Sequence, residues 1–310
     1  AIGALVLGVY LLQYFDSAKE AFLHGLFMSV SATTNGGFDI TGQSLHSYAN
    51  DYFIQFVNML LIILGAIGFP VLIEVKRFLM SKPGEKRFRF SLFSKLTSIT
   101  FFSLIIFGAI SIWVLEFDGF LSGKSWHEGL FYSLFQSVST RSGGLSTMDV
   151  SMFSEPTLLI MSVMMFIGAS PTSVGGGIRT TTFALNLLFV YHFAQGNRRI
   201  KVFKRELSDE DIRKSLVVSI FAVFTVCSSI IVLMVTESFS LIEIIFEVCS
   251  AFGTAGLSMG ITPDLSTFGK LLIILLMFIG RVGIISFIFM IGGKEKKTNY
   301  RYPEERIIIG

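Results

Sequence analysis

Three short stretches of this 310-residue chain carry small residues at matched places: Asn35-Gly36-Gly37, Ser142-Gly143-Gly144 and Thr254-Ala255-Gly256. Glycine reaches backbone conformations closed to other residues, so a glycine turn can aim successive carbonyl oxygens at one point. A ring of such oxygens replaces the hydration shell of a small cation. Each stretch follows a short apolar segment, and a helix ending there would bring about half a negative charge to the same point. No Asp or Glu stands at the nine positions, so the expected ligands are their backbone carbonyls alone. A neutral ring of that kind suits potassium or sodium and not a divalent ion.

A fourth stretch interrupts an apolar run. Residues 168–182 read Gly168, Ala169, Ser170, Pro171, Thr172, Ser173, Val174, Gly175, Gly176, Gly177, Ile178, Arg179 and three threonines. They lie between the apolar runs 157–167 and 183–193, where a membrane helix would otherwise continue. Pro171 lacks a backbone donor and the glycines have no side chains to hold a register, so the middle is predicted to be non-helical. Irregular backbone survives at membrane depth only inside protein or along a watery cavity. The stretch is therefore expected to line water, with the hydroxyls of Ser170, Thr172 and Ser173 facing it. A nucleotide-binding P-loop is excluded, because that motif needs Lys followed by Ser or Thr and Arg179 stands here instead.

Charges inside apolar sequence are costly and mark function. Arg281, within the apolar run 271–291, is expected to face the water path as an electrostatic barrier beside residues 168–177. Arg141 precedes its glycine turn by three residues, a scaffolding place, with Glu243 and Glu247 as candidate partners. Arg179 is expected to pin the end of the 168–182 stretch. Asp39 and Asp149 either concentrate cations outside the turns or cap helices.

The elements that position these residues follow from composition and repeats. The chain is 52% hydrophobic and 15% charged, with a mean hydropathy of +0.69. Soluble domains run at about 25% charged residues, so a multi-pass, all-α membrane protein in contact with lipid is predicted. Its 33 Phe fit lipid-facing and inter-helix surfaces. Cys227 and Cys249 sit in apolar surroundings and the four His are scattered, which indicates no disulfide framework, metal centre or cofactor. Gly37, Gly144 and Gly256 are separated by 107 and 112 residues, and the same order recurs around each: span, short re-entrant helix, glycine turn, span. The units are expected over 1–80, 92–195 and 215–293, with basic links at 81–91 and 196–214 and a tail at 294–310. Re-entrant helices are expected over 21–32, 126–139 and 241–251. Residues 1–15 read as the second half of a helix, so the first unit starts part-way through.

Nineteen of the 25 Lys and Arg lie in residues 74–95, 198–214 and 294–306, all on the side opposite the glycine turns. The positive-inside bias puts those links in the cytoplasm and the turns outside a plasma membrane. Nothing in this pattern suggests nucleic acid as a partner.

The stretches Ser31–Asp39, Ser139–Leu145 and Phe252–Ser258, the loop 168–182 and Phe278-Ile-Gly-Arg-Val-Gly283 resemble the Trk/Ktr/HKT superfamily of potassium transporters. They are most similar to the membrane subunit of the bacterial Ktr system. The resemblance implies pseudo-fourfold units around one pore, with one principal glycine per filter strand at Gly37, Gly144 and Gly256. Three such units are present and the family's first is missing. It further implies potassium uptake, a gate formed by residues 168–182, a homodimer with a pore in each protomer, and a cytoplasmic ring of nucleotide-binding regulatory subunits. Sodium enters as a possible activator or as the ion moved. A coupled secondary carrier is the main alternative, although inverted repeats would be usual there; an intramembrane enzyme lacks a nucleophile–base pair. Alanines at residues 175–177 are expected to alter flux with little change in selectivity.

Overall fold

In the computed structural model, residues 1–81, 88–197, 199–284 and 286–287 are described. The chain folds as three successive helical units. The first contains α1 (Ile2–Leu11), α2 (Ala18–Thr33), α3 (Tyr52–Ala66) and α4 (Phe69–Met80). The second contains α5 (Leu92–Leu115), α6 (Trp126–Ser139), α7 (Glu155–Ile167) and α8 (Thr180–Ala194). The third contains α9 (Asp209–Thr236), α10 (Leu241–Gly253) and α11 (Thr267–Val282). Among the described residues, α5 and α9 are each long and apolar enough to cross a membrane, and α3 with α4 reaches that length together.

Local sequence accounts for the boundaries. Each of α6 and α10 opens on a serine whose amide donates to a glutamate three residues on, Ser125 to Glu128 and Ser240 to Glu243, both at 2.8 Å. This reciprocal cap satisfies donors that a helix start leaves free. It also corrects one expectation: Glu243 closes its own helix and does not reach Arg141. The span expected over 52–72 bends by 107° between α3 and α4. Gly68 stands there with φ of 99°, and Pro70 in the first turn of α4 lacks an amide the helix does not need.

The break expected through residue 182 ends earlier. Arg179 (φ 81°) is the last non-helical residue, and Thr180, Thr181 and Thr182 already belong to α8. The Thr180 amide donates back to the Ala169 carbonyl at 3.1 Å, which sets the point where helix resumes. The link before α9 holds a small hairpin, β1 (Lys201–Val202) with β2 (Arg205–Glu206), in a chain expected to be wholly helical. Phe203 and Lys204 turn it with φ of 50° and 63°, the geometry of a tight two-residue turn that usually takes Asn or Gly. Lys82, Lys86, Arg87 and Arg198 of the basic links, and the whole tail 294–310, lie outside the described residues.

The units pack through buried apolar faces. Phe246, Val248 and Phe252 of α10 meet Met164, Met165 and Ile167 of α7, and Phe101 and Ile105 of α5 meet Phe135 and Val138 of α6. Outward faces keep Phe102, Phe107, Ile110, Val217, Phe224 and Leu271 exposed, as a lipid-bathed bundle requires.

Candidate functional site

Helices α2, α6 and α10 each end at one of the glycine turns, and the three turns meet. A Cβ placed on Gly144 would lie 2.8 Å from the Gly37 Cα, 2.7 Å from the Ala255 carbonyl oxygen and 3.5 Å from the Gly256 Cα. No side chain fits there. Residues more than two hundred positions apart in sequence thus share one point, which the 107- and 112-residue spacing alone does not require.

The backbone of the three turns also repeats. Asn35, Ser142 and Thr254 have φ of 49°, 92° and 48°, and Gly37, Gly144 and Gly256 have φ of 68°, 70° and 86°. The residues between them, Gly36, Gly143 and Ala255, keep negative φ. Alternation of sign is thus common to all three turns. It explains why alanine is tolerated at 255 while position 256 holds glycine. Behind the first two turns, the Ser31 hydroxyl donates to the Phe38 carbonyl at 2.6 Å and the Ser139 hydroxyl to the Leu145 carbonyl. Each hydroxyl holds the residue just after the glycine. The Ser142 hydroxyl bridges turns, donating to the Thr254 carbonyl at 2.9 Å.

The 168–179 loop packs against these turns. A Cβ on Gly175 would lie 2.7 Å from the Ser142 Cβ, and one on Gly176 would lie 2.7 Å from the Thr254 Oγ1. The loop is strapped to the bend between α3 and α4. Ser170 and Val174 amides donate to the carbonyls of Ala66 and Gly65 at 3.0 and 3.3 Å, and the Phe69 amide donates to Thr172 at 3.2 Å. A Cβ on Gly68 would lie 2.6 Å from the Pro171 carbonyl oxygen. Inside the loop, the Ala169 amide donates to Gly176 at 3.1 Å, and the Ser173 hydroxyl accepts from the Gly175 amide at 3.2 Å. Gly168 (φ 69°) and Gly177 (φ 85°) face each other where the loop opens and closes.

Arg179 holds the loop as its position suggested. Its guanidinium donates to the carbonyls of Ser170 at 3.4 Å, Gly175, and Arg281 at 3.4 Å. Arg281 is exposed in the last turn of α11 and lines a cavity of about 690 Å³. Asn35, Gly36, Thr254, Ala255 and Gly256 line the same cavity, so it opens beside the first and third turns. Val174, passed over in reading the loop, lines it too; an apolar residue among hydroxyls and glycines was the available signal.

Arg141 departs from expectation. Among the described residues it has no carboxylate partner: its Nη1 donates to the Met164 carbonyl at 3.3 Å. Glu247, the second candidate, accepts instead from the hydroxyls of Ser258 at 2.8 Å and Thr262, within its own unit. Both Asp39 and Asp149 are engaged by local donors, and of the two Asp149 caps a helical turn, at Val150–Met152. Asp39 accepts from the Thr41 hydroxyl and the Ser44 amide, and Asp149 from the Ser151 amide.

The TrkH family, described as cation transport protein, matches residues 2–296. The chain is 61% identical over 308 residues to the Ktr system potassium uptake protein D of Bacillus subtilis, covering 99% of this chain and 68% of that protein. It is 35% identical over 312 residues to the Ktr system potassium uptake protein B of the same organism, again covering 68% of it. The potassium/sodium uptake protein NtpJ of Enterococcus hirae is 35% identical over 317 residues, with 68% covered. In fold, the chain is similar to the crystal structure of the potassium transporter TrkH from Vibrio parahaemolyticus. The TM-score is 0.72 at 16% identity, across 93% of this chain and 61% of that one. The match of the family model to residues 2–296, nearly the whole chain, makes this chain a member of the TrkH family of cation transport proteins.

Proposed function

We propose that this chain forms most of a pore that takes up potassium across the plasma membrane through a filter of backbone carbonyls. The observation that carries the reading is the meeting of Gly37, Gly144 and Gly256 in three turns of the same alternating φ pattern. Such turns offer uncharged oxygens in place of water, and the ends of α2, α6 and α10 add partial negative charge. The names of relatives at 61% and 35% identity, both potassium uptake proteins, support the choice of ion. A fourth turn completes the ring. The open cavity beside the first and third turns leaves room for it.

Residues 168–177, with Arg179 and Arg281, act as the gate below the filter. The loop touches the turns, is held by backbone bonds and one guanidinium, and can release without unfolding a helix. The glycine turns face outward and the basic links face the cytoplasm. There they dock a ring of nucleotide-binding regulatory subunits beneath a homodimer, one pore per protomer. Sodium is either an activator or a second permeant ion; the potassium/sodium name of one relative favours testing it directly.

The test is potassium and sodium uptake by cells lacking their own potassium systems, supplied with the full-length gene and its Gly144→Ser variant. Native protein should restore growth at low potassium, and the variant should lose preference for potassium over sodium. Unchanged selectivity in a variant present at native abundance rejects the filter.

A further inference from the structure

Among the described residues, Arg141 is the largest side chain with essentially no exposure. It stands three residues before Gly144, matching Thr34 and Gly253 in the other two turns, so only one of the three carries a cation there. Its Nη1 donates to the Met164 carbonyl, which also accepts the Gly168 amide at 3.1 Å as the last bond of α7. The Phe101 ring lies 5.6 Å from its Cζ. Nε and Nη2 find no partner among the described residues. The charge is therefore balanced only by the carbonyl ends of α6 and α7 and by an aromatic face. Burying a cation without a carboxylate is strongly unfavourable. Packing alone does not call for it, since a Met or Leu would fill the volume.

A fixed charge without a counter-ion, in low-dielectric surroundings, acts on the nearest mobile charges. The candidate cation site next to it along the chain is the turn that begins at the following residue, Ser142. We infer that Arg141 is a specificity residue that weakens cation binding in the filter and disfavours divalent ions most; this rests on the carbonyl-filter reading above. Coulomb energy is proportional to the ion's charge, so a divalent ion feels twice the repulsion and its binding constant falls by the square of the monovalent factor. A conducting site must also bind weakly enough to release its ion. Arg141 supplies that release in a ring whose carbonyls and helix ends otherwise only attract.

The test uses the full-length transporter in cells lacking their own potassium uptake. It measures KM and maximal rate for potassium and the external barium concentration that halves uptake. Arg141→Gln keeps a donor for Met164 and removes the charge. It should lower KM several-fold, slow the maximal rate, and strengthen barium inhibition by about the square of the KM factor. Arg141→Lys keeps the charge and should stay near native in both. Neutral and charged variants that shift alike, or an Arg141→Gln protein at native abundance with unchanged KM and barium inhibition, overturn the inference. If Arg141→Gln does not reach the membrane, Thr34→Lys decides. A cation added at the matching place should raise KM and weaken barium inhibition, and no change or the opposite change overturns the role of Arg141. Native protein that takes up no potassium overturns both this inference and the transport reading, whereas a failure confined to the position 141 and 34 variants removes only the former.

Discussion

The Glu116 carboxylate just beyond α5 accepts from both the amide of Ser154, at 2.9 Å, and its hydroxyl, at 2.6 Å. Ser154 caps α7, so one carboxylate ties the end of the first helix in the second unit to the start of its third. Glu237 does the same after α9, accepting from the amide of Ser266 at 3.1 Å and from its hydroxyl at 2.5 Å. The first unit inverts the polarity: Asp51, the cap of α3, accepts from the Tyr14 hydroxyl at 2.6 Å. In all three units a hydroxyl–carboxylate bond thus links the end of the first helix to the start of the helix that follows the glycine turn.

Glu116 makes that closure sensitive to acid. Burial works to raise its pKa, but hydrogen bonds from Ser154, Thr157 and Phe120 outweigh it and leave the carboxyl below its ordinary value. A carboxyl depressed in the folded state contributes stability above its unfolded pKa of about 4.3, and loses it as pH falls through the lower folded value. Glu116→Gln should lower stability at pH 7 by about 1–3 kcal/mol, because buried donors lose a charged acceptor. Thermal unfolding in detergent checks this: the native protein should lose Tm below about pH 4, and the variant should show a flatter profile.

The φ alternation separates positions that composition treats alike. Gly37 needs a positive φ and has no room for a Cβ, whereas Gly36 has an ordinary φ and its Cβ would meet the movable Phe38 ring at 3.3 Å and the Thr34 hydroxyl at 3.5 Å. Gly37→Ala should abolish potassium selectivity and Gly36→Ala should largely keep it, as alanine does at 255. Paired uptake assays with potassium and sodium read the difference. Equal loss in both variants would mean that the alternation does not set which carbonyls face the ion.

Much of this was legible from spacing. The short helix at residues 126–139, the long apolar helices α5 and α9 and the broken 168–179 stretch follow from apolar run length and from Gly and Pro, which act locally. What was missed depends on distant partners. Arg141 looked ready for a carboxylate because sequence shows charges but not which helix ends surround them, and Glu243 was already engaged by Ser240. The Phe203-Lys204 turn carries none of the usual turn residues; the pairing of Lys201 with Glu206 imposes it. The contact of the loop with the turns could not be read either, since it joins Gly176 of the second unit to Thr254 of the third.

That contact revises the expectation for the loop. Gly175 and Gly176 abut Ser142 and Thr254, so a methyl group on either pushes the glycine turns as well as the loop. Gly175→Ala and Gly176→Ala should each reduce flux and also lower the preference for potassium over sodium. Thr172→Ala, whose hydroxyl bonds only the neighbouring Pro171 carbonyl at 2.6 Å, should leave selectivity intact. Uptake rates for both ions, normalised to protein in the membrane, separate the two classes. A flux change without a selectivity change at Gly175 and Gly176 would mean that the loop moves clear of the turns.

Arg179 gathers the loop by reaching three carbonyls, those of Ser170 and Gly175 within it and Arg281 outside it. A planar guanidinium holds several acceptors in fixed directions, which a single ammonium group on a flexible stem cannot. Arg179→Lys should therefore keep the charge beside Arg281 yet loosen the loop. Raised potassium flux at unchanged KM is the expected sign. Arg179→Gln, which also removes repulsion with Arg281, should raise it further. If both variants instead lower flux in proportion, Arg179 supports the open path and does not restrain it, and the loop's resting position is set by its bonds to Gly65 and Ala66.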